Sequence, residues 1–212
     1  MKEFVTIPDG KEFVSETVIE KSRFIACAIH VQDVEQAVEF VKQRKKKYYD
    51  ATHNCYAYIV DDKAKFSDDG EPQGTAGQPM YECLKAMGLN RVCVVVTRYF
   101  GGIKLGAGGL VRAYGGAVAE VLNKTPHLAY VNCFTLQITV DYALYEPVRR
   151  AVSAHCNVTN VEFADKVTLS IMGIADLENT ITDIVTDISN GKAVFRSLGI
   201  VLYPYINNNA TY

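Results

Sequence analysis

The sequence predicts an α+β protein built from two units, and three observations carry that reading. Residues 134–206 give strand and helix signals in the order βαββαβ, that of a ferredoxin-like domain. Residues 1–132 mix β-type alternation with helical periodicity in a different order. Between the two, Lys124-Thr125-Pro126 ends a helical pattern, because the residue before proline disfavours helix. The expected domains are therefore 1–132 and 133–206, with the boundary within His127–Asn132 and residues 207–212 a frayed tail.

In chain order, Glu12–Glu20 and Arg23–Val31 read as strands. Val34–Lys47 follows as a helix with Asp33 as its N-cap and an apolar face of Val34, Ala37, Val38 and Val41. It ends in Arg44-Lys45-Lys46-Lys47, cations that complement the helix dipole, with Tyr48 and Tyr49 beside them as stacking candidates. Thr52–Val60 is a strand, and Pro79 opens a helix carrying Met80, Leu84 and Met87 that stops at Gly88. Val92–Val96 is a buried strand, and Leu110, Tyr114, Val118 and Val121 recur at helical spacing, with Gly115 and Gly116 suited to close helix-sheet packing. In the second unit, Phe134, Leu136, Ile138 and Val140 alternate as a strand, and a helix with Val148 and Val152 starts near Glu146 to accommodate Pro147. Strands near 157–163 and 167–172 flank an Ala164-Asp165-Lys166 turn. A helix capped by Asp176, with Leu177, Ile181, Ile184 and Ile188 on one face and Gly191 as its stop, precedes a strand over Ala193–Leu202.

The net charge of -2 excludes a globally basic nucleic-acid binder, so any basic surface must be local. Apolar runs are strand-sized, the N-terminus lacks a signal-peptide core, and no membrane partner is expected; the chain reads as cytoplasmic. Six cysteines form no CxxC pair and read as reduced core thiols.

Seven of the 15 glycines lie between Gly101 and Gly116, in a strand, loop, helix context. Glycine lets backbone N–H groups approach a ligand, and a helix N-terminus adds unpaired donors, so Gly101, Gly102, Gly106 and Gly108 suit an anion. Arg98, Lys104 and Arg112 bracket them with positive charge. A P-loop is excluded because Ala107-Gly108 stands where its Lys and hydroxyl residue belong, and a dinucleotide fingerprint because Val111 takes its last glycine position. His53-Asn54-Cys55 places His and Cys on one strand face, but nearly parallel side chains make a poor nucleophile pair. Asp68, Asp69 and Glu71, among glycines and prolines in Ser67–Gly77, read as turn or cap residues, or with His53 as ligand-facing groups. No ligand spacing supports a metal or a two-metal hydrolase, and no cofactor is expected.

Four ordered blocks carry a resemblance: Lys21–Ala26, Ala51–Tyr58, Ser67–Gly77 and Val94–Gly106. Together they resemble the IMPACT family, in its bacterial two-domain branch. That resemblance implies an N-terminal fold like domain IV of elongation factor G, a ribosomal-protein-like α/β sandwich, and a C-terminal domain like its domain V. It also implies a translation-linked role facing RNA, the ribosome or translation factors, and leaves the molecular activity open, an enzyme being the less expected outcome. The expected anion or nucleic-acid contacts are Arg23, Arg98, Gly101, Gly102, Lys104, Gly106, Gly108 and Arg112. The alternative is an enzyme or sensor holding a small phosphorylated ligand in the same loop.

Overall fold

A computed structural model describes residues 3–205. It divides into two compact units, one spanning Phe4–Ala129 and the other running from Tyr130 and including Glu3. The tail expected to fray lies outside the described residues.

The first unit holds β1 (Phe4–Thr6), β2 (Phe13–Ile19), β3 (Ser22–His30), α1 (Val34–Lys47), β4 (His53–Val60), β5 (Lys63–Ser67), α2 (Gly77–Ala86), β6 (Val92–Tyr99) and α3 (Gly106–Asn123). Its main sheet runs β2-β3-β6-β4-β5 with antiparallel neighbours throughout. Helices cover both faces. On one, Phe24, Ala26, Cys55, Val94 and Val96 pack with Met80 and Leu84 of α2 and Leu110, Tyr114 and Val118 of α3. On the other, Cys27, Tyr58, Cys93 and Val95 pack with Ala37, Phe40 and Val41 of α1. Burial on both faces is why Val92–Val96 is apolar without alternation.

Several local expectations change. β5 has no counterpart among the expected strands, because Lys63-Ala64-Lys65 is an exposed edge with no apolar run to mark it. Asp33 caps α1 by accepting from the Gln36 N–H, but Val38 faces solvent and Phe40 takes its place, so the buried stripe is Ala37, Phe40, Val41 and Arg44. α2 begins two residues before Pro79, which sits in its first turn. Gly115 and Gly116 do not mediate close packing: a Cβ on Gly115 would make ordinary contact with Pro79, and one on Gly116 would meet nothing within 4 Å.

The second unit contains most of β7 (Leu128–Val140), then α4 (Tyr142–Ser153), β8 (Asn157–Phe163), β9 (Val167–Ile174), a single 3-10 turn (Ala175–Leu177), α5 (Glu178–Ser189) and β10 (Val194–Tyr205). β10 pairs with β7, β7 with β9 and β9 with β8, the arrangement of a ferredoxin-like βαββαβ domain. Alternate residues Phe134, Leu136, Ile138 and Val140 meet Val148 and Val152 of α4 and Ile181 and Val185 of α5. Val185 takes the central place expected of Ile184, and the 3-10 turn displaces Asp176 from the cap of α5. α4 starts at Tyr142, so Pro147 lies inside it; Pro147 is exposed, where solvent can serve the carbonyl that its ring leaves without a donor. Of the residues expected to hold the boundary, all but His127 belong to β7, and the units divide between Ala129 and Tyr130.

Candidate anion-binding site

Strand register brings the buried polar groups together. Phe24 of β3 and His53 of β4 both stand opposite Arg98 of β6, on the sheet face covered by α2 and α3. Arg98 is buried: one terminal nitrogen donates to Glu71 Oε1 at 2.6 Å, the other to Ser22 Oγ at 3.3 Å, and its guanidinium lies over the rings of Phe24 and Phe100. Tyr114 of α3 donates to the same Glu71 oxygen at 2.8 Å and meets Phe24 edge-on. Glu71 is thus a buried carboxylate whose charge is matched by one arginine, the pairing that makes such burial tolerable. His53 stands beside it, with Nε2 3.8 Å from Glu71 Oε2. Its Nδ1 lies 2.9 Å from the Asp69 carbonyl oxygen; a carbonyl only accepts, so Nδ1 carries the proton.

The acidic stretch delivers Glu71 to this place. Asp68 accepts from the backbone N–H groups of Gly74, Ala76 and Gly77, so its carboxylate closes the loop and serves the start of α2. Burial works to raise the Asp68 carboxyl, but those three donors prevail and hold it below the usual carboxylate value. Asp69 accepts from the Asn54 N–H and pairs with Lys45. Gly77 is required by close approach, since a Cβ there would lie 2.7 Å from the Ser67 backbone. Asp68 and Asp69, expected as possible ligand-facing groups, are therefore occupied in holding the loop, while Glu71 and His53 line a cavity.

That cavity, of about 450 Å³, lies between this polar cluster and the glycine loop. Arg98 and Glu71 are its buried polar groups and His53 a half-buried one, Phe100, Leu105 and Leu110 its apolar ones, and Lys104, Gly106 and Ala107 its exposed edge. The N-terminus of α3 opens there with no side-chain cap and no acidic residue in its first turn, leaving early N–H donors and the positive end of an 18-residue helix dipole. A second cavity, lined in part by Ile103 and Gly109, shares Lys104 and brings in Arg112. Both cations are exposed and have no ion-pair partner among the described residues.

The expected contacts therefore separate. Lys104 and Arg112 are available cations, whereas Arg98 is tied to Glu71 and Arg23 forms a forked pair with Glu16 at 2.7 and 2.8 Å. Gly102 and Gly106 adopt φ of 86° and 69°, the left-handed region that favours glycine. Gly101 has another reason: a Cβ there would fall 2.0 Å from the Lys21 backbone carbon, so the strand turn seats directly on it. Gly108 is neither left-handed nor crowded, and lies in the first turn of α3 with open space around it. Within the basic run, Arg44 is buried against Glu12 and the Tyr48 ring rather than presented to a ligand. Helical spacing marks Tyr114 only as part of an apolar face; a tyrosine where leucine would fill the space signals a buried hydroxyl that needs a partner.

Cys55 is no nucleophile. Its thiol is fully buried, donates to the Asp68 carbonyl, and is pushed up to about 12 by burial, which suppresses the thiolate. All six cysteines are free thiols. Among the described residues, no group of three or more His, Cys, Asp or Glu side chains is placed to hold a metal ion.

Comparison with known proteins places these features in a family. Residues 20–122 match the Impact N-terminal domain and residues 138–192 a domain of unknown function, DUF1949. The chain is 39% identical over 197 residues to IMPACT family member YvyE of Bacillus subtilis, covering 90% of this chain and 88% of that one. It is 35% identical over 196 residues to an IMPACT family member of Haemophilus influenzae, covering 88% and 94%. A crystal structure of a hypothetical protein superposes with a TM-score of 0.59 at 30% identity, covering 92% of this chain and 97% of the other. The chain belongs to the IMPACT family.

Proposed function

We propose that this protein is a cytoplasmic, translation-linked regulator that binds RNA through the N-terminal end of α3. Membership of the IMPACT family supports the link to translation. The observation that carries RNA binding is the uncapped start of α3 beside Lys104 and Arg112, two exposed cations with no ion-pair partner among the described residues. Phosphate is the anion that such a combination of backbone donors, dipole and mobile ammonium accommodates. Phe100, 46% exposed beside the loop, offers a ring for a base. The function described is binding; no catalytic step is needed.

Salt-dependent binding of single-stranded RNA tests this reading. The logarithm of the affinity should fall linearly with the logarithm of salt concentration, by roughly 0.7 per contacted phosphate. Lys104→Ala should weaken binding and flatten that slope while leaving the melting temperature within about a degree, because an isolated exposed charge contributes little to folding. Parent-like binding by both Lys104→Ala and Lys104→Glu would remove the loop from the interface. A second reading, a sensor of a small phosphorylated ligand, is favoured by the cavity's size and its buried polar groups. It predicts tight mononucleotide binding with only a shallow salt dependence.

A further inference from the structure

We infer that a single RNA strand held at the α3 N-terminus continues onto the turn after α1, where the Tyr49 ring stacks on a base and Lys46 and Lys47 meet phosphates. This second contact rests on the RNA reading just given and extends it to another element.

Tyr49 is the informative residue. It is 86% exposed, more than any other large apolar side chain among the described residues, so its ring has no place in the core. Its backbone is nevertheless fixed. The Ala51 N–H closes the turn on the Tyr48 carbonyl at 3.1 Å, the Asn54 side-chain amide donates to the same carbonyl, and the Tyr99 hydroxyl donates to Asp50 at 2.9 Å. An ordered turn carrying a side chain with two torsions presents a ring at little entropic cost. Two further bonds tie this segment to the glycine-loop cavity: Thr52 N–H donates to the Arg98 carbonyl at 2.9 Å, and Phe100 N–H to Thr52 Oγ1 at 3.0 Å. Thr52 and Phe100 both line the cavity that Lys104 edges. The exposed rings of Tyr49 and Phe100 thus stand on segments bonded to each other.

Charge selects the partner. Of the four cations that end α1, Arg44 is buried on Glu12 and Lys45 pairs with Asp69, while Lys46 and Lys47 are exposed and have no ion-pair partner among the described residues. Asp50 opposes a phosphate there, but the two lysines outnumber it. The dipole of α1 accounts for cations at its end and leaves the ring beside them unexplained. The neighbouring rings are already engaged, since Lys47 Nζ lies 5.6 Å from the Tyr48 ring centroid and the Arg23 guanidinium 5.8 Å from that of Tyr99. No ring or cation among the described residues stands over Tyr49. A free ring between free cations is the composition of a single-strand site, where ammonium groups follow the backbone and any base offers a face to stack. Bases of a duplex already stack on one another, so the ring favours an unpaired strand.

Anisotropy titration of a labelled, single-stranded oligouridylate of about twelve nucleotides with the full chain tests the contact. Tyr49→Ala should weaken binding about tenfold while leaving the salt slope and the melting temperature as in the parent, because a ring neutralises no phosphate and this one is solvent-exposed. Tyr49→Phe, which keeps the ring, should bind like the parent. Replacing Lys46 and Lys47 together by alanine should flatten the salt slope. The chain contains no tryptophan, so Tyr49→Trp introduces a single one, and the same oligonucleotide should quench its fluorescence as binding saturates. If the parent binds, parent-like affinity of Tyr49→Ala with an unquenched Tyr49→Trp overturns the stacking contact and leaves RNA binding at Lys104 standing. Weakened binding by Tyr49→Ala, with Lys104→Ala and Lys104→Glu both parent-like, supports the contact at Tyr49 and removes the glycine loop from the interface. Failure of the parent to bind overturns both readings.

Discussion

At the scale of single residues, the glycine-proline loop depends on Asp68. Its carboxylate takes three backbone N–H groups, and those donors outweigh burial to hold it below the ordinary value. A carboxyl depressed in the folded state contributes stability above its unfolded pKa, about 3.9, and loses it as pH falls through the lower folded value. Asp68→Ala should therefore destabilise the protein by roughly 1–3 kcal/mol at neutral pH, with the gap from the parent closing in acid below about pH 4, as urea melts across pH would show. A gap independent of pH would mean that the charge of Asp68 is immaterial. Gly101 is held by backbone approach, since a Cβ there would lie 2.0 Å from the Lys21 carbonyl carbon. Lys21 itself already sits at a φ of 63°, so the turn has little freedom to retreat. Gly101→Ala should cost about 2 kcal/mol or more in chemical denaturation, and a parent-like midpoint would show that the turn can yield.

At the scale of elements, α3 carries glycines that serve neither packing nor a special backbone conformation. Gly116 is exposed, helical and surrounded by open space. Replacing it with alanine removes unfolded-state entropy without a clash, so Gly116→Ala should stabilise by about 1 kcal/mol and raise the melting temperature by a few degrees. A fall in stability would reveal a contact made by the helix backbone. The contrast with Gly101 shows that one glycine-rich run serves different physical ends. Gly101 permits contact with a neighbouring turn, Gly102 and Gly106 permit left-handed backbone, and Gly108 and Gly116 leave parts of α3 without side chains.

At the scale of the whole molecule, each unit has its own core. The first unit buries clusters on both faces of its sheet, and the second buries one face of its sheet under α4 and α5. Residues 4–129 should therefore unfold cooperatively when expressed alone, with a single transition by both circular dichroism and fluorescence. A non-cooperative melt would show that the second unit is needed for the first to fold.

The sequence by itself determined the α+β class, the βαββαβ order of the second unit, the Asp33 cap and the strand, loop, helix setting of the glycines, because hydrophobic period and turn chemistry are local properties. It did not mark β5, whose exposed Lys63-Ala64-Lys65 has no apolar face, or the start of β7 at Leu128, ahead of the strand read from Phe134. Nor did residue type separate the cations: Arg98 and Lys104 are close in the chain, yet one is buried on Glu71 and the other exposed at the cavity edge. Only the tertiary structure decided that, because cross-strand register sets Arg98 opposite both Phe24 and His53, and the loop ordered by Asp68 brings Glu71 to the same point. The partner of a charge is a long-range contact, and no local pattern in the chain records it.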